Sequence, residues 1–91
     1  MRKLTENDLT AIVGTVNAGY TILRARVKDG SYSDSDHYGI ALARNAKGNC
    51  VTWQFHIEGE TPEMYWGRYA ANEESAVADY ETRGEPDDAN R

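Results

Sequence analysis

Cysteine is all but missing from this chain: Cys50 is the only one among 91 residues. A single thiol forms no intramolecular disulfide, and it excludes a four-cysteine zinc centre and a CxxC redox pair. Standing at the start of an expected strand, Cys50 reads as a small core residue, and a chain without disulfides fits a reducing compartment. Long apolar runs are missing as well; none approaches the roughly 18–20 residues needed to cross a bilayer. Met1-Arg2-Lys3 resembles the basic start of a signal peptide, but Thr5-Glu6-Asn7-Asp8 follows where its apolar region would have to lie. The expectation is a soluble, cytoplasmic protein without membrane contact.

Cations are the third shortage. Ten Lys/Arg face fifteen Asp/Glu, for a formal charge of −5. Residues 1–45 hold six Lys/Arg against five Asp/Glu, whereas residues 46–91 hold four against ten. Affinity for nucleic acid comes mainly from cations that displace phosphate counterions, so direct nucleic-acid binding is not expected. A basic protein surface would be drawn to such a field, which speeds encounter. Acidity also keeps a small protein soluble without any partner.

What the chain does have is one dense aromatic segment, residues 51–69, VTWQFHIEGETPEMYWGRY. It holds both tryptophans, the only phenylalanine and two of the six tyrosines. Val51, Trp53, Phe55 and Ile57 alternate with Thr52, Gln54, His56 and Glu58, the period of a strand with one buried face. A Gly/Pro turn follows, and a further strand over residues 64–70 puts Met64 and Trp66 on one side, Tyr65 and Tyr69 on the other.

Elsewhere, Thr5 is a good N-cap, and Leu9, Ile12, Val13 and Val16 fall on one face of a helix that Gly19 would close. A strand is expected at residues 20–27, with Leu23, Ala25 and Val27 inward. Another is expected at residues 38–44, whose small face of Gly39, Ala41 and Ala43 would admit a close neighbour such as a helix. Asn45 to Asn49 make a hairpin turn. Asn72 caps a last helix with the narrow apolar stripe Ala76, Val77 and Tyr80 and a stop at Gly84. The expected fold is a single α+β domain over residues 1–84: a four-stranded antiparallel meander with N-terminal and C-terminal helices packed on one face. Residues 85–91 form an acidic tail expected to be disordered.

Candidate chemistry is sparse. His37 lies in a loop, and His56 shares a strand face with Glu58, a pair with the geometry for acid–base work. A surface histidine is the commoner reading of each. Asp29, Asp34 and Asp36 offer oxygen ligands to a hard cation, but the EF-hand glycine and terminal glutamate are missing. No catalytic residue, cofactor or metal is expected. If Trp53, Phe55 and Trp66 face the helices, Tyr65 and Tyr69 lie on the opposite face beside polar residues, a composition typical of interfaces. Glu73, Glu74, Asp79 and Glu81 line the last helix and could occupy a basic groove meant for nucleic acid. These six residues are the expected partner-binding set.

The pair VTWQF and YWGRY, followed by an acidic helix ending DYETRG, resembles a group of short open reading frames of mobile elements in gut bacteria, with a pattern VTWxF…YWGxY…A..DF..R. The likeness covers about residues 51–83, with Tyr80 where the pattern has Phe; the first fifty residues add little. Such elements carry small acidic proteins that act against host defences, anti-CRISPR proteins among them. The resemblance implies that setting and carries no catalytic residues over. The expectation is a non-enzymatic inhibitor with a basic protein partner. The alternative is a self-associating structural or adaptor module of the element, forming a homodimer through the Tyr65/Tyr69 face.

Overall fold

The computed structural model describes residues 3–27 and 38–83. Its elements are α1 (Glu6–Ile12), β1 (Val16–Asn17), β2 (Tyr20–Val27), β3 (Gly39–Arg44), β4 (Cys50–Glu58), β5 (Thr61–Ala70) and α2 (Glu73–Thr82). All neighbouring strands pair antiparallel in chain order. The α+β class and the meander are as expected, but the sheet has a fifth strand. His37, the aspartates at 29, 34 and 36, the Gly84 stop and the tail 85–91 lie outside the described residues.

The extra strand comes out of the expected first helix. Thr5 caps α1 in a capping box: its hydroxyl accepts the Asp8 N–H at 3.2 Å, and its own N–H donates to the Asp8 carboxylate at 2.7 Å. The helix then ends at Ile12, well before Gly19, because Gly14 takes a left-handed φ of 91°. The Gly14 N–H donates to the Ile22 carbonyl at 2.7 Å, and the Ile22 N–H donates to Thr15 at 2.9 Å, which starts β1. Val16, expected on the helix face, is therefore 67% exposed.

In β2 a register shift lies between Ile22 and Arg24. One extra residue reverses which side chains face the core. Ile22 is buried and Leu23 is exposed, whereas Ala25 and Val27 keep their expected inward position.

The two helices lie on opposite faces, which corrects the expectation of one covered face. Ile12 of α1 joins Ile22, Ala41, Ala43, Val51, Trp53, Phe55 and Ile57 in one core. Ala76 and Tyr80 of α2 join Ile40, Leu42 and Cys50 in another. Alternate residues of β3 thus serve different cores, and Gly39 to Ala43 are all buried. A strand that is apolar on both faces needs a cover on each.

The small residues of β3 have a second use. Gly39 pairs with Phe55 across the β3–β4 ladder. A Cβ on Gly39 would stand 2.4 Å from Phe55 Cζ and 2.9 Å from the Arg26 carbonyl oxygen. The space is filled by the ring of a neighbouring strand. Gly39→Ala should therefore destabilise the fold by about 1–3 kcal/mol, the range for overpacking a core, measured as a lowered urea midpoint with an unchanged m-value.

Candidate functional site

The site grows from a fault in the β4–β5 ladder. Thr52 pairs with Arg68 and Gln54 with Tyr65, so Trp53 alone faces both Trp66 and Gly67. This bulge turns every later β5 side chain to the other face. Tyr65 sits with Gln54 on the α2 face. Tyr69 lies across from Val51 on the α1 face, its ring 6.0 Å from that of Tyr20. The two tyrosines expected to share a face are therefore separated. Trp66, expected inward with Trp53, is 70% exposed and holds a left-handed φ of 55°. Gly67 is required beside it, since a Cβ there would come within 3.0 Å of Trp53 Nε1 and of the Tyr69 ring.

Arg83, just past α2, holds the bulge from below. The residue is 4% exposed. It donates to the Thr52 carbonyl at 2.6 Å, to the Thr52 hydroxyl at 3.0 Å, and to the Trp66 carbonyl. Thr52 in turn donates its hydroxyl proton to Asp79 at 2.5 Å, and the other Asp79 oxygen accepts from Arg68 at 2.9 Å. Arg26 completes the clamp. It donates to the carbonyls of Tyr80 and Arg83 at 2.7 and 2.6 Å and lies 5.3 Å from the centre of the Tyr80 ring. The last turn of α2 has no basic residue of its own; Arg26 supplies from β2 the positive charge that a helix C-terminus favours.

Beyond Arg83 the α2 face carries a chain of rings. Tyr38 and His56 meet edge to face at 6.5 Å, His56 and Tyr65 lie 5.4 Å apart, and Tyr65 and Trp66 meet edge to face at 5.0 Å. His56 Nε2 is 3.1 Å from Glu63 and 3.5 Å from Glu58. Carboxylates only accept, so Nε2 is assigned a proton, and Nδ1 lies 3.4 Å from the Tyr65 hydroxyl oxygen. The Tyr65 oxygen accepts the Gln54 amide, also at 3.4 Å. Burial, first of all, raises the Tyr65 pKa; the Gln54 bond opposes this, and Tyr38 and Glu63 add to it. The hydroxyl therefore keeps its proton as a donor. Both His56 nitrogens are engaged within this face, an arrangement that positions rings and carboxylates.

The expected acidic residues divide. Glu73, Glu74 and Glu81 are exposed on α2, with Arg44 3.7 Å from Glu73. Asp79 is turned inward to Thr52 and Arg68. Tyr38, Glu63 and Trp66 belong to the site without having been expected there, whereas Gln54 lies beside Tyr65 as expected. The one signal for them was the Trp66-Gly67 pair inside a strand, since glycine within a strand marks a bulge. Cys50, the sole thiol, is buried; burial raises its pKa, Glu73 adds to this and Arg44 opposes it. Among the described residues no group of three or more His, Cys, Asp or Glu is placed to hold a metal ion, and no helix is long and apolar enough to cross a membrane. No protein-family model, curated protein or solved structure matches this chain.

Two outcomes test this geometry. Arg83→Lys keeps the charge but loses the forked donor set. It should lower stability by about 1–3 kcal/mol, the cost of leaving a buried acceptor unpaired, as read by denaturant unfolding. Cys50, Tyr65 and Tyr80 all have pKa values raised in the fold, burial being the first cause of each. Their contribution is complete below the unfolded-state values, roughly 8.5 for thiol and 10 for phenol, and is lost as pH rises through the folded values. Stability should thus fall above about pH 9, and modification of Cys50 by a thiol reagent should proceed at the rate of unfolding.

Proposed function

We propose that this chain is a non-enzymatic inhibitor from a mobile element or phage, of the anti-CRISPR kind, acting in the bacterial cytoplasm. Its partner is a basic, nucleic-acid-handling surface of a CRISPR–Cas effector. The observation that carries this reading is the convergence of charge and rings on the α2 side. Exposed Glu73, Glu74 and Glu81 share that side with Glu58 and Glu63, which are exposed to the same extent as Glu73, and with outward Trp66. Aromatic anchors beside like-charged carboxylates form a contact surface that excludes nucleic acid and attracts cationic protein. Tyr65 backs the surface, and Asp79 serves it by holding α2 in place. Catalysis by His56 and Glu58 is the weaker reading, because both ring nitrogens already have partners.

A second reading has one specific observation in its favour. Tyr69 is 66% exposed on β5, which is the last strand of the sheet, and could seat a second copy. A dimer that persists at high salt in sedimentation would favour that module over the inhibitor.

The test of the first reading is electrostatic. Tagged protein is mixed with purified CRISPR–Cas effectors; the expected result is retention at low salt, loss at high salt, and competition by duplex DNA. Glu74→Lys combined with Glu81→Lys should slow association by about tenfold while changing dissociation little. Equal binding by the double variant and the natural chain would refute the role given to the acidic side.

A further inference from the structure

We propose that Trp66, with Tyr65 behind it and the Glu63 carboxylate on the same face, is a docking site for an arginine-containing basic segment of a protein partner. The inference rests on the reading of a basic partner given above and names the side chain that the surface takes.

Three observations lead to it. First, the bulge presents the Trp66 ring outward at 70% exposure, and its φ of 55° is a costly conformation for a bulky residue. Arg83 holds the Trp66 carbonyl and Gly67 makes room for Trp53 and Tyr69. The backbone that presents the ring is thus held before any partner arrives, which reduces the entropy lost on binding. Second, Tyr65 meets Trp66 at an interplanar angle of 85° with ring centres 5.0 Å apart. The two rings make an aromatic corner, and the face of an indole is the best aromatic seat for a cation. Third, a carboxylate lies on the same face, at Glu63 opposite His56. Glu63 is half-exposed and satisfies His56 with one oxygen at 3.1 Å, while a carboxylate accepts several hydrogen bonds at once. Arg68 and Arg83, the cations beside the bulge, are directed at Asp79, Thr52 and the Trp66 carbonyl.

Arginine suits this surface better than lysine. Its planar guanidinium stacks on an indole and still directs its N–H fork sideways to carboxylate, and it is more weakly hydrated than an ammonium group. An extended segment places alternate side chains on one face. One arginine can therefore stack on Trp66 while the next cation on that face approaches Glu63.

The probe is a short arginine-rich peptide, with counterparts in which every arginine is lysine or uncharged citrulline. Trp53 is only 4% exposed, so a change in tryptophan emission on titration reports Trp66. The arginine peptide is expected to bind, the lysine peptide more weakly, and the citrulline peptide not at all. Trp66→Ala should weaken binding by about tenfold, and Glu63→Gln by about threefold with a smaller salt dependence. Trp66→Phe, which keeps an aromatic face, should retain most of the affinity. Circular dichroism and melting of each variant show that the fold persists. Equal binding of the arginine and citrulline peptides, or binding by a folded Trp66→Ala variant as tight as that of the natural chain, would overturn the inference. So would failure of the natural chain to bind the arginine peptide. If effector capture still depends on Glu74 and Glu81 in that last case, the inhibitor reading survives and only the arginine site is lost.

Discussion

The guanidinium of Arg83 is the constraint on which most of this structure turns. Almost wholly buried, it reaches the Thr52 carbonyl and hydroxyl on β4 and the Trp66 carbonyl on β5 from the end of α2. A buried cation is tolerated only when its donors are used and a negative charge is near. Here Asp79 supplies that charge through Thr52, and Arg68 balances Asp79 from the other side. The same bonds settle three things together: where α2 lies on the sheet, where the β4–β5 ladder breaks, and which β5 side chain turns outward. An ammonium group in its place would present a point charge without the fork that reaches two strands.

This clamp matters because α2 has little else to hold it. Its buried contribution is Ala76 and Tyr80, with Val77 half-buried, a small apolar area by the measure of about 25 cal/mol per Å². The sheet face beneath it includes Thr52 and Gln54, both buried. Polar groups removed from water are costly unless bonded, and among the described residues no buried side-chain nitrogen or oxygen lacks a partner. The α1 face is the reverse: Trp53, Phe55, Ile57 and Ile22 form an apolar core that needs no polar network. The domain therefore has one face held by area and one held by directional bonds. The second kind gives up freedom of packing in return for fixed geometry.

The sequence made some of this legible and concealed the rest. The limits of β2 and β4, the caps Thr5 and Asn72 and the turn at Asn45–Asn49 could be read because local propensity and period determine them. The placement of helices on both faces was half visible, since Ile40 and Leu42 alternate with Ala41 and Ala43 and neither set is polar. The bulge at Leu23 was not visible, and the one at Trp66 was marked only by Gly67 inside the strand. Parity along a strand is a property of the pair, and one inserted residue reverses it without changing the composition. That is why Tyr69 was grouped with Tyr65, and why Trp66 was placed in the core. Asp79 was grouped with the outward acids because spacing on a helix does not show which carboxylate a neighbouring strand will claim.

The identity of the residue at the bulge carries the remaining argument. A left-handed position is met with least strain by glycine, or by asparagine. Arg83 needs only the carbonyl of residue 66, so nothing in the clamp calls for an indole, and the exposed ring adds little to either core. A tryptophan at such a position costs the fold roughly 1–3 kcal/mol, a large fraction of what a small domain has to spare. Strain of this kind is the ground on which a role for the side chain outside the fold is proposed. On the proposed reading, the acids of α2 and the ring of Trp66 would divide the work of association: the carboxylates would act over distance on encounter, and the ring in contact on retention.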